Sequence, residues 1–217
     1  RSIWIGSPGS MDINQQPRDA LTRNFKLSGG TIRMHNIHGV DAVGEEVEPW
    51  CAITTHASDG VTLENLSILD AWSDSIMCLP TGDNTITPTN LAYVGYDEWV
   101  YQTENLYIHN VLLDGVKTSA GRHNLTFHGN LDTTIDGLII NKSCEHWMLD
   151  IESSGKRQRA LGVKFRNCQL AAGENSGVQW QPYTPNNSVR PTTRNVVCSW
   201  DTGTRILKAA PGTWRVE

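Results

Sequence analysis

Apolar and polar positions alternate along this chain in short runs, and one run recurs: apolar-x-apolar-x-(Asn or Gly)-apolar-x-apolar. It begins at Phe25, Leu27, Gly29, Gly30 and Ile32, and returns as Val61, Leu63, Asn65, Leu66 and Ile68. Further copies are Leu106, Ile108, Asn110, Val111 and Leu113; Thr133, Ile135, Gly137, Leu138 and Ile140; and Val163, Phe165, Asn167, Cys168 and Leu170. The copies start 36, 45, 27 and 30 residues apart, and a degraded one follows around Val196, Cys198 and Trp200. Period-two alternation marks strands with one face buried. The fifth position is always Asn or Gly, the residues most tolerant of a positive φ. There the alternation slips by one, as it must if the strand bends sharply and resumes with its apolar side still inward.

A further strand fits between copies. Its instances are Cys51 to His56, Ser75 to Leu79, Asn124 to His128, Trp147 to Glu152 and Gly177 to Gln181, with Arg205 to Lys208 as the last. Each repeat then carries three short strands and one tight bend. Repeats that bury a face only against their neighbours define a solenoid. Stacked Asn at equivalent bends would hydrogen-bond from one coil to the next. The expected fold class is all-β, with 1–217 as one domain, clear coils over about 22–210 and an aromatic-rich loop insertion at 80–103.

Over those coils the chain resembles the pectate-lyase-like superfamily of right-handed, single-stranded parallel β-helices. The resemblance implies a handedness and a ligand-bearing face, but that fold hosts lyases, hydrolases, esterases and adhesins alike. Ala120, Gly121, Arg122 and His123, followed by Leu149, Asp150, Ile151 and Glu152, are similar to β-helix domains of bacteriophage tail proteins. There an Arg on one coil precedes an Asp-Ile-Glu strand on the next. The departures are His123 in place of Gln and the absence of a Pro after Glu152.

Composition narrows the partners. Hydrophobic residues at 38% and charged residues at 19% describe a globular chain. A net charge of −5 without a basic stripe disfavours nucleic acid, and Lys156, Arg157 and Arg159 read as a solvated loop. No apolar run approaches the roughly 18 residues of a membrane helix, so no membrane insertion is expected. The first residues, Arg1 to Trp4, lack an initiator Met and a signal-peptide pattern, which reads as a mature product or a piece of a longer chain. Five scattered Cys (51, 78, 144, 168 and 198) read as buried thiols, with no disulfide expected.

Candidate chemistry centres on the third strand. With Leu149 and Ile151 inward, Asp150 and Glu152 project outward and are expected to face solvent. His128 and Gln181 flank Glu152 in one outward row, and Thr126 and Gln179 flank Asp150 in another. Two carboxylates at i and i+2 lie about 6.5–7 Å apart, inside the roughly 6.5–9.5 Å separation of inverting glycosidases. One would act as acid, the other as base, with His128 modulating either. The competing reading is a solvated acidic pair that only hydrogen-bonds sugar hydroxyls. Arg122 would clamp a carboxylate, or form a surface ion pair of little consequence. Trp72, and Tyr96 and Trp99 in the 80–103 loop, are stacking candidates, against the plainer reading of a loop packing its own aromatics. No HxxxH, HExxH, GxSxG or phosphate-binding Gly loop occurs, so no metal or cofactor is expected.

Two function classes follow. One is a glycan-binding β-helix of a phage tail fibre or tailspike, located in the virion tail, a homotrimer by that resemblance, recognising a bacterial surface polysaccharide. The other is a polysaccharide-degrading enzyme, hydrolase before lyase, from a phage or secreted by a bacterium. A lyase needs a base beside a bound cation, and Arg122 is the one outward candidate.

Overall fold

The computed structural model describes residues 3–6, 22–34, 51–56, 58–71, 74–79, 103–115, 123–128, 130–142, 147–152, 160–171, 178–181 and 196–208. These residues form twenty strands and no helix. The chain enters on β1 (Ile3–Gly6), β2 (Thr22–Arg23) and β3 (Lys26–Arg33). The next repeat supplies β4 (Ile53–His56), β5 (Ser58–Asp59) and β6 (Thr62–Ala71). Then come β7 (Ile76–Leu79), β8 (Thr103–Glu104), β9 (Tyr107–His109) and β10 (Leu112–Gly115). A fourth repeat gives β11 (His123–Phe127), β12 (Asn130–Leu131), β13 (Thr134–Asp136) and β14 (Ile139–Lys142). The last two are β15 (Trp147–Glu152), β16 (Ala160–Arg166) and β17 (Gln169–Ala171), then β18 (Val178–Gln181), β19 (Val196–Trp200) and β20 (Arg205–Lys208).

Every pairing is parallel, and each strand pairs with its counterpart in the next repeat. The first strands of the repeats form a six-stranded sheet in the order β1-β4-β7-β11-β15-β18. The remaining fourteen strands form one sheet, because the long β6 and β16 join strand lines that the shorter strands keep separate. Three apolar rows cross the strands and meet in the core. Ile53, Ile76, Leu125 and Leu149 form the first. Leu63, Ile108, Ile135 and Phe165 form the second, and Ile68, Leu113, Ile140 and Leu170 the third. All are essentially inaccessible, and each such side chain contributes on the order of 1.5–3 kcal/mol by leaving water. Leu27 and Ile32, which begin the second and third rows on β3, are only partly buried.

Positive φ falls where the slipped alternation requires it: Gly29 (75°), Asn65 (53°), Asn110 (51°), Gly137 (70°) and Asn167 (50°). Strand register sets these five side by side. The Asn110 side-chain amide donates to Asn65 Oδ1 at 2.8 Å, so the bends are tied to each other as well as to their own backbone. The expectation of one bend per repeat is incomplete. A second column, five residues upstream, comprises Asn24 (53°), Gly60 (72°), Asn105 (52°), Asp132 (52°) and Gly162 (69°). Its members are Asn, Asp or Gly for the same reason. A side chain at Gly162 would also meet Asp132 Oδ1 at 2.7 Å, and one at Gly60 would meet Asn24 Oδ1 at 2.9 Å.

Two strand assignments differ from the pattern reading. Arg205–Lys208 pairs with β17 after the bend and is not in the six-stranded sheet. That sheet begins instead with Ile3–Gly6, ahead of the first recognisable copy. Both strands are only four residues long, too short for alternation to place them. Val196–Trp200 does pair with β16 as a degraded copy should. The thiols of Cys51, Cys78 and Cys168 are buried and in no disulfide, and Cys144 lies outside the described residues.

Candidate functional site

The six-stranded sheet carries the residues singled out in the sequence. Thr54, Met77, Thr126, Asp150 and Gln179 share one row by register, as alternation requires. Glu152 pairs with Gln181, and His128 follows directly on Phe127, the partner of Ile151. Glu152, Gln179 and Gln181 are placed by this backbone register. Arg122, Trp72, Tyr96 and Trp99 lie outside the described residues, as does nearly all of the 80–103 segment; Thr103 opens β8.

Exposure departs from the sequence reading. Asp150 does not project to solvent: it is 1% exposed, and Thr54, Thr126, His56 and His128 are buried with it. Residues 123–128 are buried without a break. Both faces of β4 and β11 are therefore covered, as is usual for parallel sheets. Alternation reports the side on which a residue lies, and whether that side is covered is a separate matter. A polar side chain can occupy a covered face once it finds partners there.

Among the described residues two imidazoles lie against Asp150. His123 Nε2 lies 3.5 Å and His128 Nε2 3.7 Å from the same oxygen, Asp150 Oδ2. The second distance is too long for a hydrogen bond, yet both are short for a Coulombic contact removed from water. His123 also reaches a second buried acid, since its backbone N–H donates to Asp74 Oδ1 at 3.0 Å. Asp74 in turn lies against Cys51, whose Sγ is 3.8 Å from Asp74 Oδ2. A buried polar line thus runs from Cys51 through Asp74 and His123 to Asp150 and His128. An isolated carboxylate at such depth is costly, and a neighbouring imidazole that takes up a proton offsets that cost. Among the described residues no group of His, Cys, Asp and Glu could hold a metal ion.

His123 and Trp4 are the participants that sequence reasoning misses. Counting back from Leu125 assigns His123 to the core side, and its ring reaches Asp150 from the start of the strand. Trp4 pairs with Thr54 in the Asp150 row and stacks on His56, with ring centroids 5.0 Å apart and planes 14° from parallel. It is half exposed, whereas Thr54, Met77, Thr126 and Asp150 of the same row are buried. The signal for it was local: Ile3-Trp4-Ile5 is a short apolar run of strand-favouring residues.

No protein-family model, curated protein or solved structure matches this chain. Among the described residues no helix is long and apolar enough to cross a membrane.

Proposed function

We propose that this chain is a right-handed parallel β-helix of the bacteriophage tail type, acting in a trimer on the virion to recognise a bacterial surface polysaccharide. The observation that carries the reading is the in-order stacking of parallel strands. Outward side chains then recur every 4.8 Å or so along lines that cross the strands. A repetitive ligand lying along such a line meets an equivalent position at each step, and a rigid stack presents those positions already ordered.

One observation favours the enzymatic reading beside it. Asp150 is withdrawn from water between His123 and His128, and buried titratable clusters of this kind concentrate at catalytic centres. In that reading Asp150 and Glu152 divide the roles of acid and base in hydrolysis of the bound glycan, and the imidazoles set the proton inventory of Asp150.

Purified bacterial surface polysaccharides separate the two. An adhesin binds one of them and releases no new reducing ends. A hydrolase releases them, and Asp150→Asn lowers the rate at least a hundredfold while binding persists, since the amide keeps the shape and loses the charge. A chain that binds no polysaccharide contradicts both.

A further inference from the structure

The second sheet has an outward face of a different kind, and it is open. Along β3, β6, β9, β13 and β16, one outward row comprises Lys26, Thr62, Tyr107, Thr134 and Lys164, and the next Ser28, Glu64, His109, Asp136 and Arg166. From Thr62 and Glu64 onward these side chains are half-buried or exposed, with Lys164 and Arg166 exposed. The acids on this face already have partners. Glu64 accepts from Ser28 at 2.9 Å and pairs with Lys26 at 2.7 Å; the Lys26 and Ser28 hydrogen bonds hold its carboxyl below the ordinary value. Asp136 accepts from the Asn167 amide at 3.1 Å. Asp201, which follows β19, accepts from the Asn167 and Thr204 backbones. The two cations on β16 have no such engagement: among the described residues neither Lys164 nor Arg166 forms an ion pair. Two strand steps away, Tyr107 and His109 stack with centroids 5.5 Å apart and planes 10° from parallel.

We propose that this patch is a subsite for an anionic glycan, with Tyr107 as the stacking surface and Lys164 and Arg166 as the counter-charge. It rests on the glycan-binding reading and assigns that reading a face and a charge class. The C–H face of a pyranose packs on an aromatic ring, whose π-cloud is negative. Tyr107 and Lys164 are separated by about 10 Å, two strand spacings, and by the uncharged Thr134 alone. A sugar seated on the ring therefore directs an acidic substituent toward the lysine without passing an acid. Arg166 offers a planar fork to carboxylate or phosphate alike. The row with Tyr107 carries no acidic residue over these five strands; in the adjacent row Glu64 is ion-paired with Lys26, while Asp136 is held by the neutral Asn167 amide and keeps its charge. The Tyr107 row is the charge complement of an acidic polymer on a chain whose net charge is −5.

The test is binding by the whole chain to three sets of polymer: uronate-containing polysaccharides, with sodium polygalacturonate as the defined member; phosphate-containing teichoic acid; and neutral dextran and neutral O-polysaccharides. The expected result is salt-sensitive binding to one anionic set, which identifies carboxylate or phosphate as the acidic group. Lys164→Ala with Arg166→Ala should weaken it at least tenfold. Tyr107→Ala should weaken it severalfold, with Tyr107→Phe close to the parent. Arg33→Ala, which removes an exposed cation already engaged by Asp70 on the sheet's edge strand, should leave binding unchanged. All four positions face outward, and unchanged thermal unfolding verifies the fold. Binding of neutral polymers alone, or anionic binding indifferent to the Lys164 and Arg166 changes, overturns this subsite while the glycan reading stands. Binding to no polymer of any set removes the glycan reading and the subsite together.

Discussion

A single Asn, Asp or Gly at each bend determines where the chain turns. Asn110 holds a φ of 51° and donates its amide to Asn65, so it contributes both a tolerated backbone conformation and a cross-repeat hydrogen bond. Asn110→Ala should lower the unfolding free energy by about 1–2 kcal/mol, from the Cβ penalty in the left-handed region and the lost bond. Asn110→Gly should cost less than Ala, because glycine removes the steric penalty, and urea denaturation distinguishes the two. At Cys78, burial pushes the thiol up from 9.0 to about 12, opposed by a weaker hydrogen bond with Thr55. The folded value is raised, so the stabilisation is complete below pH 9 and is lost as pH rises from there toward 12. Urea midpoints measured at pH 8, 10 and 11 should fall steeply for the parent and less steeply for Cys78→Ala. Equal slopes would mean that Cys78 is accessible to water. The first bend column is legible in sequence because Asn and Gly interrupt a strict alternation. The second, from Asn24 to Gly162, is equally present but falls just before each copy, where it resembles an ordinary loop boundary.

Strands in this chain are too short to be stable alone, and their worth comes from the rows they complete. Leu63 is fully buried, and its row-mate Leu27 on β3 is only partly so. Leu63→Ala should therefore cost about 2–5 kcal/mol, as for other full core truncations, and Leu27→Ala clearly less. Thermal unfolding of the two variants tests this, and equal losses would mean that β3 is covered as fully as β6. Rows were readable from periodicity alone: inward Leu149 and Ile151 put Asp150 beside Thr126 and Gln179, and register agrees. The covering of that outward face was not readable. Burial of Thr54, Thr126 and Asp150 depends on what lies over the sheet, and a period-two pattern holds no information about a second layer. For the same reason the open face with Tyr107, Lys164 and Arg166 looked no different in sequence from the covered one.

At the scale of the whole molecule, every row named above depends on one property: successive repeats stack in chain order, each beside the last. The parallel stacking was legible because the same corner residue recurs with the same slip, and no hairpin pattern accounts for that. The proposed glycan recognition and the proposed anionic subsite both rest on that geometry. Electron-electron double resonance measures the stacking directly, with nitroxides on unnatural residues at Lys26 and Ser199 so that the native thiols stay unlabelled. Register links these positions through Thr62, Tyr107, Thr134 and Lys164, which is five strand steps. The account predicts a narrow distribution centred at roughly 24 Å, shortening to about 19 Å when the first label moves to Thr62. Equal distances for the two pairs, or a broad distribution that ignores the move, would contradict ordered stacking.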